Sequence, residues 1–77
     1  MDRNLARELA MGLGSVFAMA MATEYTKASK LLRDIKKHIN TDEDLDAVAT
    51  EAWALNLTMF NSTEKIKHHL GYNRGDH

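Results

Sequence analysis

The chain has 77 residues and no cysteine, so it makes one small domain without a disulfide framework or cysteine-ligated zinc. Its net charge of −1 argues against wholesale coating of nucleic acid, and 44 % hydrophobic with 27 % charged residues is a globular composition. Ten of the apolar residues are alanine, and a core this small supplies only about 3–5 kcal/mol unaided, which makes a second copy of the chain the expected helper.

Proline is absent, Val and Ile total five, and Ala, Leu, Met, Lys and Glu dominate. That composition favours helix over strand. The expected fold is all-α: a bundle of three to four helices forming one helical domain over residues 1–71, with a long N-terminal helix, completed by dimerisation. A loose tail is expected over 72–77, which carries little to bury.

The first segment reads as one helix over about 3–38. The alternative is a break at Gly12 and Gly14, each of which costs about 1 kcal/mol in a helix relative to alanine, with Ser15 capping a second helix. At 100° per residue, Leu5, Leu9, Leu13, Val16 and Ala20 share one face. Met21, Tyr25, Ala28, Leu32, Ile35 and Ile39 form a second stripe with coiled-coil-like spacing. In one continuous helix the two stripes are offset by roughly 100–120°, so a second copy would be needed to cover both. Ala6, Ala10, Gly14, Ala18 and Ala22 follow one another at intervals of four, a small-residue ridge that lets another helix approach closely. The expected oligomer interface therefore includes Ala10, Gly14, Ala18 and Met21. Leu9–Ala22 is too short for a membrane span, which needs roughly 20 apolar residues. Asp2 and Glu8 also sit where a secretory leader carries only positive charge, so a cytoplasmic protein is expected.

A boundary follows at Asn40-Thr41-Asp42-Glu43-Asp44. Thr41 and Asp44 suit a capping box, and Asn40 suits a left-handed residue ending the helix before it. The next helix is expected over about 42–60. Its apolar face carries Leu45, Val48, Ala49, Ala52, Trp53, Met59 and Phe60, with Asn56 in its middle. A lone polar residue at such a place fixes register or oligomer state, which adds Asn56 to the expected interface. A last helix over 62–70 is capped by Ser62 or Asn61 and ended by Gly71.

No catalytic constellation is legible. There is no phosphate loop and no Gly-x-Ser-x-Gly turn. The four histidines lack the spacing of metal ligands on a helix, so neither a metal nor a cofactor is expected. Residues 27–38 carry a net charge of +4 (five Lys or Arg against Asp34, His38 neutral). Lys30, Arg33 and Lys37 lie opposite the Leu32/Ile35 stripe, where they can meet an acidic protein surface or nucleic-acid phosphate. Ser62–Asn73 resembles the first helix and turn of helix-turn-helix domains over about 12 residues, and only four residues follow it. Framed otherwise, 62–70 is the recognition helix, carrying Lys65, Lys67, His68 and His69. Two readings result. The first is a non-enzymatic accessory or regulatory protein that acts as a homo-oligomer through contact with a protein partner. The alternative is a small DNA-binding regulator.

Overall fold

Asp2 opens the first helix by accepting a hydrogen bond from the Leu5 backbone N–H at 3.2 Å, which satisfies one of the donors a helix start leaves unpaired. The structure, a computed structural model, describes residues 1–71; the tail 72–77 expected to be loose lies outside the described residues. In chain order the helices are α1 (Arg3–Met21), α2 (Tyr25–Lys36), α3 (Asp42–Ala54) and α4 (Thr63–Leu70), with a 3₁₀ turn at Thr58–Phe60. There is no strand among the described residues. The fold is all-α, a small helical bundle.

The expected helix over 3–38 is two helices, and the break is not at Gly12 or Gly14. It falls at Ala22-Thr23-Glu24. Thr23 takes a left-handed φ of 60°. Its N–H donates to the Ala20 carbonyl at 3.0 Å, and the Glu24 N–H reaches back to the Met19 carbonyl at 2.8 Å. This pair of bonds is the Schellman closure of a helix C-terminus. The offset between the two apolar stripes explains the break. Folding α2 back along α1 turns both stripes onto one core within a single chain. Leu9 and Leu13 are buried from the first stripe and Ala28, Ile35 and Ile39 from the second.

Asn40 is not left-handed. The chain leaves α2 through short-range bonds, His38 N–H to the Ile35 carbonyl and Ile39 N–H to the Lys36 carbonyl. Asn40 instead donates its N–H to Asp44 Oδ2 at 2.9 Å. The capping box forms as expected. Thr41 Oγ1 accepts from the Asp44 N–H at 3.1 Å, and Asp44 Oδ2 accepts from the Thr41 N–H at 3.2 Å. Those backbone donors, that of Asn40 foremost, hold the Asp44 carboxyl below its ordinary value.

The helix expected over 42–60 stops at Ala54. Asn56 is left-handed, with φ 62°. Its N–H donates to the Trp53 carbonyl at 2.9 Å, and the Leu57 N–H donates to the Ala52 carbonyl at 2.8 Å. This second Schellman closure turns Leu57 back over the bundle. α4 then begins at Ser62, whose Oγ accepts from the Lys65 N–H at 3.2 Å, and ends at Gly71 with φ 79°. α1 packs on α2 and on α3, and α3 carries α4 and the 3₁₀ turn. Leu13, Val48 and Ile66 are the largest fully buried side chains, and burying each contributes about 1.5–3 kcal/mol.

Candidate interaction surface

The α1–α2 corner leaves apolar side chains in solvent. Phe17 is 38 % exposed, Met21 71 % and Tyr25 63 %. Phe17 and Met21 lie one helical turn apart on one face, and Tyr25 starts α2 immediately after the turn. Met21 and Tyr25 are the first two members of the second apolar stripe. The core takes its later members and leaves these out. Thr23 causes this, because reversal of the chain there carries both residues past the end of the packed interface. Ala18, also exposed, adjoins them on α1.

The other residues expected at an oligomer interface are placed differently. Ala10 is fully buried inside the chain, so the small-residue ridge serves internal packing of α1 at that point. Gly14 is half-buried beneath Leu57. Asn56 is exposed, in a turn rather than at the centre of a helix face. The ridge admits elements of its own chain at Ala10 and Gly14 and leaves only its Ala18 end open. Trp53, expected on the apolar face of the third helix, is 71 % exposed. Its helical-wheel position lies about 90° from the centre of the face set by Leu45, Val48, Ala49 and Ala52, a signal present in the sequence.

Lys30, Arg33 and Lys37 are all exposed. Lys37 pairs with Asp34 at 3.7 Å. Lys30 and Arg33 form no ion pair or hydrogen bond among the described residues. A shallow groove lined by Tyr25, Thr26, Ser29, Lys30 and Arg33 runs along this face. The basic side chains of α4 are more engaged. Lys65 Nζ donates to the Thr58 carbonyl at 3.1 Å and to Asn61 Oδ1 at 3.0 Å. Lys67 pairs with Asp42 at 3.7 Å. His69 packs against Phe60 with ring centroids 4.9 Å apart. Partial desolvation there, with the neighbouring His68, pulls the His69 pKa below its ordinary value.

Among the described residues, one carboxylate is buried. Glu51 Oε2 lies 3.3 Å from Arg3 Nε, while its Oε1 has no hydrogen-bond partner. A concavity of about 740 Å³ opens at the α2–α3 junction. Two carboxylates line it, Asp42, which pairs with Lys67, and Glu64, and none of its lining residues among the described residues is a serine or histidine. Among the described residues no group of three or more His, Asp or Glu could hold a metal ion, and no helix is long and apolar enough to cross a membrane. Searches find no family model, curated protein or solved structure that matches the chain.

Proposed function

We propose that the chain is a non-enzymatic accessory protein that works as a homo-oligomer and offers the α1–α2 corner to a protein partner. The observation that carries this reading is the exposure of Met21 and Tyr25, at 71 % and 63 %, beside Phe17. Large apolar side chains grouped at one place mark contact sites more than scattered ones do, and aromatic and methionine side chains are enriched in protein interfaces. Methionine also adapts its shape to a partner. Localisation in the cytoplasm belongs to the same proposal.

Affinity capture from native lysate at low and high salt, with and without nuclease, tests it. The expected result is a nuclease-resistant protein partner that persists at high salt and is lost in the Met21→Glu, Tyr25→Ser double variant. Capture that is unchanged in that variant contradicts the role of the corner.

The second reading, nucleic-acid binding on α2, is favoured by the unpaired Lys30 and Arg33 lining a groove with Tyr25. Salt separates the two. Phosphate contacts weaken by about tenfold or more between 50 and 200 mM salt, whereas an apolar contact barely responds.

A further inference from the structure

Two exposed strips on this chain complement each other. On α2 and the residue that caps its C-terminus, Thr26, Lys30, Arg33 and Lys37 follow at intervals of four, three and four, and all four are exposed. On α3, Glu43, Asp46, Thr50 and Trp53 follow at intervals of three, four and three, and all four are again exposed. Both spacings keep one helix face in line over three turns. At 1.5 Å per residue the strips are roughly 16 and 15 Å long. The Glu43 and Asp46 side chains, like those of Lys30 and Arg33, have no ion-pair partner among the described residues. The charge is therefore segregated. One helix presents uncompensated cations and another uncompensated anions, on a chain whose net charge is only −1.

We infer that the α2 strip of one copy docks antiparallel on the α3 strip of a second copy. This deepens the homo-oligomeric reading above and rests on it. The antiparallel register places Lys37 opposite Glu43, Arg33 opposite Asp46, Lys30 opposite Thr50 and Thr26 opposite Trp53. Two opposite-charge pairs form at one end, and the exposed indole closes the other end beside Tyr25. A parallel register aligns only Lys30 with Asp46 and sets Lys37 against Trp53. Pairing α2 with α2 sets cations against cations. Among these arrangements, only the antiparallel α2–α3 contact satisfies both ends of both strips. Lys37 already holds Asp34 at 3.7 Å, an exposed pair within one helix, and such pairs exchange partners at little cost. A second copy also explains why the two strips match in length and spacing, a match that nucleic acid would not require.

The test is charge reversal with compensation, read by sedimentation equilibrium. Arg33→Glu with Lys37→Glu, and separately Glu43→Lys with Asp46→Lys, should each raise the dissociation constant roughly tenfold or more, given two lost pairs and new like-charge contacts. The four-fold variant should return to within about threefold of the wild type, and an equimolar mixture of the two double variants should re-associate, because only cross-pairing then matches the charges. Far-UV circular dichroism on each variant confirms that the helices are retained. A wild-type oligomer whose mass is unmoved by either reversal overturns this contact and leaves the homo-oligomeric reading standing. A wild type monomeric at every concentration and salt removes that reading, and this contact with it. A labelled single-stranded oligonucleotide is the control for the other class of partner. Binding that is lost with Arg33→Glu and Lys37→Glu and is not recovered in the four-fold variant assigns the α2 strip to nucleic acid and overturns the inference.

Discussion

Leu57 lies over Gly14, with its Cδ2 3.5 Å from the position a Cβ on Gly14 would occupy. That is ordinary van der Waals distance, so Gly14→Ala should gain helix propensity without a clash and stabilise the protein by about 1 kcal/mol. Gly12 differs, because a Cβ there would stand 3.0 Å from Ile35 Cδ1, and Ile35 belongs to the buried core. Gly12→Ala should stabilise less than Gly14→Ala or destabilise. Gly14→Leu should destabilise the folded chain itself by about 1–3 kcal/mol through overpacking. Urea unfolding of the three variants checks the order.

Thr23 and Asn56 occupy the same left-handed position in the two Schellman closures, with φ 60° and 62°. The position suits asparagine and penalises a β-branched residue. Thr23→Gly should therefore stabilise by about 1 kcal/mol, while Asn56→Gly should change stability by only a few tenths. Asn56→Leu should cost about 1–2 kcal/mol, the reverse of what a register-fixing core asparagine would show. Denaturant midpoints at constant m-value report these differences.

These two residues also mark the limit of what the sequence makes legible. The caps at Thr41 and Ser62 and the stop at Gly71 use residue types that favour those positions, and they stand where the spacing places them. Thr23 does not advertise a left-handed turn. The break it makes is visible only indirectly, in the phase offset between two apolar stripes, which reads equally as a demand for a second copy. Asn56 falls at a helical spacing that continues the apolar face, so periodicity carries the helix past its end. The charged face of α2 was legible because it lies opposite the buried stripe. The exposed corner was legible only in part: the small-residue ridge points to Ala18 and Met21 as interface residues, but not to Phe17 or Tyr25, and Tyr25 obeys the spacing of the residues that the core buries.

Glu51 should act as a buried carboxylate with one satisfied oxygen. Its side chain is 9 % exposed and that of Arg3 79 %. Arg3→Ala should destabilise by about 1 kcal/mol by leaving the carboxylate without its partner. Glu51→Met should be neutral or stabilising by up to about 2 kcal/mol, because the orphan Oε1 is removed and the released guanidinium stays solvated. Thermal unfolding of both single variants and the double variant isolates the pairwise term. A Glu51→Met variant less stable than Arg3→Ala would contradict this account.

His69 should make stability pH-dependent on the mildly acidic side. Partial desolvation of the otherwise exposed ring, then the neighbouring His68, lowers its pKa below the ordinary 6.5. Between the folded value and 6.5 the unfolded chain binds more protons than the folded one, so stability rises with pH in that window. The contribution is fully present above 6.5 and is lost as pH falls toward the folded value. His69→Gln should flatten the slope of urea midpoint against pH just below 6.5 and leave it unchanged above. The lowered Asp44 carboxyl acts in the separate acidic window of the carboxylates, where its contribution is lost as pH falls through its folded value.

Sedimentation equilibrium of the wild-type chain at micromolar concentration tests most directly whether the protein works by association. The predicted result is a concentration-dependent mass that exceeds the 8.7 kDa of one chain and falls as salt is raised. A single species of 8.7 kDa across the whole concentration range would contradict it.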